Sequence, residues 1–200
     1  EMSGGKPIGI KIAAGTVEAD VDVALLADPD FITIDGKGGA TGSVPKMIKD
    51  AASVPTIYAL TRARAHLQRR GVHDVTLVVT GGLRVSSDIA KALALGADAV
   101  AIGTAALMAV GCRQYRICNT GRCPTGVTSQ DTLLRSRIDV DAAAGRVKNY
   151  FRVLHSELET FTRMTGHTHV RELSRNDVSA VTLDLARSAG IPFSGDAPHG

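Results

Sequence analysis

Three things are scarce in this chain of 200 residues, and each scarcity excludes a class of protein. No apolar run reaches the roughly 18 residues that a membrane-spanning helix requires, so no membrane partner is expected. The chain opens Glu1-Met2-Ser3-Gly4-Gly5, without the pattern of a signal peptide. Charge of one sign is also lacking: 23 Lys and Arg against 20 Asp and Glu leave +3 at pH 7. Bulk electrostatics therefore make no case for nucleic acid. Cysteine is the third. An odd count of 3 offers no disulfide framework and points to a reducing, cytoplasmic compartment. The length suits one domain with a substantial core and an appendage. A start at Glu1, running almost at once into a buried-type strand, reads as a piece cut from a longer protein.

What cysteine there is lies in one place. Residues 111–130, GCRQYRICNTGRCPTGVTSQ, hold Cys112, Cys118 and Cys123 in a Cys-x5-Cys-x4-Cys run. Three soft thiolates without a fourth suit an iron–sulfur cluster bound at three corners, because each iron takes its own sulfur ligand. Two plainer readings stay open. Structural zinc normally takes four ligands at closer spacing, and the nearest histidine outside the run is His155. The alternative is three unrelated buried thiols. Arg113, Arg116, Arg122, Arg135 and Arg137 surround the cysteines, opposed by Asp131. They form either a solvated basic loop or a face for a negatively charged cluster, cofactor or acidic partner.

The chain before the cysteines alternates two periodicities. Residues 7–13, PIGIKIA, predict a strand with Ile8, Ile10 and Ile12 on one face and Gly9, Lys11 and Ala13 on the other. A helix follows over 17–27, with Val17, Val21, Ala24 and Leu25 in a stripe. FITID (31–35) is a second strand, leading into the glycine-rich loop Gly36–Gly42, and Pro45 and Pro55 punctuate the next section. From Thr56 a helix carries Leu60, Ala63 and Leu67 on one face until Gly71 stops it. Val75–Thr80 is a third strand running into Gly81-Gly82, and a helix over Ser86–Leu95 is closed by Gly96. Ala99–Ile102 is a fourth strand running into Gly103-Thr104. Continuous apolar strands of this kind belong to a parallel sheet covered by helices. Four βα units in order make an α/β fold, half of a (β/α)8 TIM barrel. A free half would leave two unpaired sheet edges, so the missing half is expected N-terminal to residue 1 or from a second copy.

Everything after the cysteines reads as helix. Val147, Tyr150, Phe151, Leu154, Leu158 and Phe161 form an amphipathic stripe ended by Gly166, a packing face rather than a cofactor box. Ser174 with Asp177 resembles a capped start, followed by a stripe of Val178, Val181 and Leu185 that Gly190 and Pro192 end. The tail, 193–200, is expected to fray. The predicted division is 1–111 as half barrel, 112–131 as cysteine loop and 132–200 as helical extension.

The two glycine tips carry the next signal. In an eight-fold barrel the loops after the last two strands, with the following helix N-terminus, commonly bind phosphate. Glycine lets backbone N–H groups approach an anion, and Arg84 can add a charge-assisted bond. The plain alternative is tight strand-to-helix turns. If the isoleucines pack on the outer helices, Lys11 points into the barrel mouth, where an ammonium needs an anion, a polarised carbonyl or a flavin ring edge; the plain alternative is a solvated lysine at the strand end. Lys37 and Thr41 either line the same mouth or belong to a mobile surface loop. Asp35 caps a turn or orients a ligand, and the sequence does not separate the two. His167-x-His169 lacks a third ligand and reads as loop polarity.

ITIDGKGGATGSVP (32–45), VTGGLRVSSDIAKALALGADAVAIGT (79–104) and CRQYRICNTGRCPTGVTSQD (112–131) together resemble the FMN-binding synthase domain of the glutamate synthase large subunit. The likeness covers most of residues 6–190. It implies that Cys112, Cys118 and Cys123 hold a 3Fe-4S cluster, and that Gly81, Gly82, Arg84, Gly103 and Thr104 hold the FMN phosphate. It implies that Lys11 sits beside the flavin and the 2-oxoglutarate site, with Gly39, Thr41 and Gly42 lining the substrate pocket. The family's reaction joins ammonia and 2-oxoglutarate as 2-iminoglutarate, which FMN reduces to L-glutamate with electrons passed through the cluster. The partners it implies are a glutaminase domain or subunit and an electron donor, either ferredoxin or an NADPH-oxidising subunit.

Three features depart from the family pattern. Thr80 stands where many FMN barrels carry Asp, and Ala40 replaces a loop glycine. The N-terminal half barrel, a glutaminase and a β-helical domain are not in these residues, as in the compact form whose glutaminase is a separate subunit. Related chemistry on another imine, as in N-methylglutamate synthase, would leave the same motifs, and so would a non-catalytic cluster-bearing module. Asp88–Thr104 is also similar to inosine monophosphate dehydrogenase, but that chemistry needs a nucleophilic cysteine in the loop after the sixth strand. The matching loop, Gly36–Ser43, has none.

Overall fold

Four short runs rich in β-branched residues pair into one sheet in a computed structural model that describes residues 4–196. The strands are β1 (Gly9–Ala13), β2 (Phe31–Asp35), β3 (Thr76–Thr80) and β4 (Ala99–Val100). They lie in the order β1-β2-β3-β4, every pair parallel. The register sets Lys11 beside Thr33 and Val78, and Ala13 beside Asp35 and Thr80. Three strands are shorter than expected, β3 by one residue and β1 and β4 by two. Ile8 gives its N–H to Asp30 Oδ2 at 2.6 Å instead of to the ladder, and β4 regularity ends at Val100, although Ala101 N–H still reaches Val79 O at 2.9 Å.

Parity along each strand decides which face is covered. Ile10, Ile12, Ile32, Ile34, Leu77, Val79 and Val100 point to one side and meet helices α1 (Val17–Leu25), α3 (Thr56–Arg69) and α4 (Ser86–Ala94). Each fully buried Ile or Leu there contributes roughly 1.5–3 kcal/mol relative to exposure. The opposite face carries Gly9, Lys11, Phe31, Thr33, Asp35, Val78 and Thr80, and no helix among the described residues packs over it. The three helices predicted ahead of the cysteines stand within two residues of their expected bounds. Asp88 takes the N–H groups of Arg84 and Val85 at the start of α4, and Gly71 at φ +68° closes off α3. Two helices lacked a sequence signal strong enough to predict: α2 (Lys46–Ala51), launched by Pro45, and α5 (Thr104–Val110), launched by Gly103.

The C-terminal third corrects the all-helix expectation. A short α6 (Thr132–Arg135) precedes the long α7 (Val140–Met164), whose start Asp139 caps by accepting the Ala142 N–H. Gly166 ends α7 as expected, and its predicted stripe turns inward, with Leu154 buried and Val147, Tyr150, Leu158 and Phe161 half-buried; Phe151, 47% exposed, is the exception, and Ala143 and Thr162 extend the buried face. α7 packs on α4 and α5. Ser174 and Asp177 do form a capping box, but it encloses one 3-10 turn, Arg175–Asp177, and Val178 is extended. The helix there, α8 (Leu183–Ala189), begins later under Thr182 and packs on α3. Val181 lies outside it and is exposed. A single turn and an α-helix share the same N-terminal hydrogen bonds, which is why the box misleads. The expected fraying at 193–200 is corrected for its first part: Phe193 bridges Ala180, and Ser194 Oγ donates to Ser179 Oγ at 2.8 Å. Residues 197–200, like 1–3, lie outside the described residues.

Candidate active-site cleft at the sheet's C-terminal edge

Each strand releases its loop at the same edge of the sheet, and those loops enclose a cleft of about 410 Å³. That volume lies within the usual range for small-molecule sites. Of the residues singled out from the sequence, Lys11, Gly39, Gly42, Gly81, Gly82, Arg84, Gly103 and Thr104 all line it. Thr41 belongs to the same loop without lining the cleft. Five cationic side chains face it, from Lys11, Lys46, Lys49, Arg84 and Arg116, against the carboxylates of Asp35 and Asp50. The wall therefore favours an anionic ligand.

The glycines play different parts. Gly81 is buried at φ +114°, and a Cβ there would stand 2.4 Å from the Gly36 carbonyl oxygen. The strand-to-loop turn itself therefore demands glycine. Gly38 comes up against Gly82, so the two glycine loops touch backbone to backbone. At Gly103 an added Cβ would meet open space, so nothing in the fold asks for glycine there. Buried Thr56, at the first turn of α3, locks the two loops together by donating its hydroxyl to Gly81 O at 2.6 Å, with Lys37 O at 3.3 Å. Arg84 is set by its own backbone: its N–H goes to Asp88, and its carbonyl accepts from Tyr150 Oη at 2.7 Å. Burial, and then the Asp88 charge, push the Tyr150 phenol above its ordinary range, so it remains a donor.

Lys11 emerges in the mouth as predicted, but with a partner inside the chain: Nζ lies 2.8 Å from Asp35 Oδ2. The other oxygen, Asp35 Oδ1, is buried without a hydrogen-bond partner among the described residues. The two departures in the sequence also have visible outcomes. Ala40 takes φ +147°, a backbone more natural to glycine, and Thr80 donates its hydroxyl to Ala101 O at 2.8 Å.

The cysteine loop flanks this cleft. Cys118 stands against Gly42, where a Cβ would come within 3.3 Å of its sulfur. Cys112 lines a neighbouring cleft of about 790 Å³ with Arg113, Arg137 and Arg146, and Gln114 borders both clefts. Cys123 is buried. Burial pushes its thiol up, but hydrogen bonds from the Thr125 hydroxyl and from Thr128 outweigh that and bring it down to about 6. The loop's path is fixed by Gly121 in the left-handed region and by Gly126, where a Cβ would collide with the Leu134 carbonyl. Gln114 and Arg116 also take positive φ, 56° and 59°, which side-chain-bearing residues do at a cost of about 1 kcal/mol each. Among the described residues no group of three or more His, Cys, Asp or Glu converges as a single metal ion would require. A cluster places its thiolates on separate irons and does not need that convergence; three soft sulfurs on one loop fit it in kind.

Sequence reading missed several members of the cleft. Lys46 and Lys49 arrive on the unforeseen α2, whereas Arg116, expected only as part of the basic cysteine loop, crosses over to line the cleft and bond Val44 O at 3.4 Å. Thr56 carried no signal beyond a residue suited to a helix start. His167 Nε2 meets Asp177 Oδ2 at 2.9 Å, while His169 Nδ1 accepts the Arg171 N–H. No described helix is long and apolar enough to cross a membrane.

Known proteins bear on this arrangement in two ways. Among solved structures, a flavocytochrome b2 variant with sulfite bound superposes at a TM-score of 0.56 with 20% identity, covering 86% of this chain and 36% of its own. That likeness establishes the fold as part of a TIM-type barrel. By sequence, the glutamate synthase large subunit-like protein of Rhizobium meliloti (strain 1021) is 37% identical over 207 residues, 95% of this chain and 47% of that protein. The archaeal-type glutamate synthase [NADPH] of Dehalococcoides mccartyi is 40% identical over 172 residues, covering 85% of this chain and 34% of that protein. The chain thus spans less than half the length of these relatives. A family model described as a conserved region in glutamate synthase matches residues 1–168, and by that match the chain belongs to the glutamate synthase family.

Proposed function

We propose that this chain forms the FMN-binding, cluster-bearing part of a glutamate synthase, an oxidoreductase that reduces 2-iminoglutarate, formed from 2-oxoglutarate and ammonia, to L-glutamate. One observation carries the reading: the cationic, glycine-rimmed cleft collects eight residues marked independently in the sequence, and Cys118 abuts its rim at Gly42. The open space at Gly103 and the exposed backbone at Gly82 suit the close approach of a phosphate, with Thr104 opening α5 beside them. Gly81, Gly82, Gly103, Thr104 and Arg84 would hold the FMN phosphate, and Cys112, Cys118 and Cys123 a 3Fe-4S cluster. FMN, when bound, supplies hydride chemistry and the cluster one-electron transfer.

The remaining work falls to side chains of this chain. Lys11 presents a fixed positive charge in the mouth, where it can hold a substrate carboxylate or the flavin ring edge. Gly39, Thr41 and Gly42 form the loop that lines the substrate side. Gln114 borders both clefts and so stands between the Cys112 cleft and the mouth. The divisions 1–111, 112–131 and 132–200 follow these roles as barrel, cluster loop and helical extension. A glutaminase as ammonia source, and ferredoxin or an NADPH-oxidising subunit as electron donor, complete the proposal; relatives named glutamate synthase [NADPH] support the latter.

The test is to measure flavin and iron on the purified full-length protein, then glutamate formation from 2-oxoglutarate and ammonium with a reduced donor. Stoichiometric FMN and iron with activity are expected; absence of flavin overturns the reading. Cys118→Ser should abolish the cluster spectrum, and normal iron content in that variant would overturn the ligand assignment.

A further inference from the structure

Lys11 and Asp35 share the open face of the sheet but are not register partners: Lys11 pairs with Thr33, and Asp35 with Ala13. To reach Asp35, the lysine stem climbs two residues toward the C-terminal edge, roughly 6.6 Å along the strand. The pair is unequal. The lysine side chain is 60% exposed and the aspartate 14%, so the carboxylate is the anchored member and the ammonium the held one. The anchor depends on Gly39. An added Cβ at that position would stand 1.5 Å from Asp35 Oδ1, so the Gly39 Cα covers that oxygen, which is buried without a hydrogen-bond partner among the described residues. Gly39 takes no positive φ, so backbone conformation is not why glycine is there. The Gly39 N–H to Gly36 O and the Gly36 N–H to Thr80 O, both 2.9 Å, hold the loop down over the carboxylate.

We infer that Asp35 is the positioning residue of the cleft: it fixes the Lys11 ammonium at the sheet's C-terminal edge, and residue 39 is glycine to seal the same carboxylate. The role of the fixed charge rests on the proposed flavin site; the contact itself does not. A half-desolvated carboxylate complemented by one ammonium makes each group depend on the other. Replacing Asp35 frees the lysine to swing over the open face. Enlarging Gly39 keeps both charges and forces them apart.

The experiment is competitive acetylation of the full-length protein at one mildly alkaline pH, with modification of each lysine followed by mass spectrometry. In the unaltered protein Lys11 should react several-fold more slowly than Lys37 and Lys91. Asp35→Asn and Gly39→Ala should each remove that protection while leaving Lys37 and Lys91 unchanged. Equal rates in the unaltered protein, or protection that survives both variants, overturn the inference. The functional arm titrates FMN into Lys11→Met, Asp35→Asn and the double variant. Asp35→Asn should weaken binding alone and add nothing once Lys11 is gone, whereas additive losses would mean that Asp35 acts independently. A protein that binds no flavin at all sinks the proposed function and leaves the labelling arm to decide this inference.

Discussion

The two most telling glycines of the cleft separate folding from binding. Gly81 sits at φ +114° with a backbone oxygen where its Cβ would go, so Gly81→Ala should destabilise the protein by about 2 kcal/mol or more. Gly103 has room, so Gly103→Ala should leave stability within about 0.5 kcal/mol while weakening FMN about tenfold. Thermal melts beside flavin titrations check both, and equal behaviour of the two variants would remove the distinction. The sequence made both positions visible as glycine tips, yet did not tell at which of them the turn itself demands glycine. That difference depends on where the Gly36 carbonyl lies, 45 residues earlier in the chain. The same limit hid the Lys11–Asp35 pair. Strand parity tells which face a side chain takes, but not that the lysine stem passes its register partner Thr33 to meet Asp35 two residues on.

At the scale of elements, local signals were most legible where they repeat and least where they occur once. The stripe of α7 repeats over many turns, and its helix stands; the single capping box at Ser174 encloses a 3-10 turn. Pro45 read as punctuation because the six residues of α2 are too few to declare a period. Two contacts between elements invite measurement. Arg62 of α3 grips Glu18 of α1 through Nε at 2.9 Å and Nη2 at 2.5 Å, and the Arg62 hydrogen bond holds the Glu18 carboxyl down to about 2. A depressed carboxyl stabilises above its unfolded value near 4.5 and loses that contribution as pH falls toward 2. Because the pair is partly exposed and screened, Glu18→Gln should cost about 0.5–1 kcal/mol at neutral pH. It should also flatten the melting-temperature profile across that acid window; an unchanged slope would discount the pair. Farther along, Tyr150 of α7 donates to the Arg84 carbonyl. Tyr150→Phe should therefore cost about 1 kcal/mol and loosen FMN several-fold by freeing the Arg84 loop, without touching the cysteines. Flavin titration with iron content unchanged is the check.

For the molecule as a whole, the decisive asymmetry is a parallel sheet covered on one face only. Half-barrel topology was legible because four apolar runs alternate with helical stripes, and crossovers between parallel strands follow from that alternation. The open face was not legible in detail. Phe31 lies across Gly9, filling space that a second side chain would otherwise take, and Thr33 is buried beside it. β1 and β4 each keep one unpaired edge among the described strands. The 200 residues made alone should consequently bind an apolar dye more strongly than the full-length protein does. The same asymmetry orders the cofactors. All three cysteines lie on one loop whose turns are set internally by Gly121 and Gly126, whereas the cleft borders the open sheet face. The isolated chain, reconstituted with iron, sulfide and FMN, should therefore retain iron better than flavin. Flavin held as tightly as in the full-length protein would mean that the cleft needs nothing on its open side, and would undercut the half-barrel account of the site.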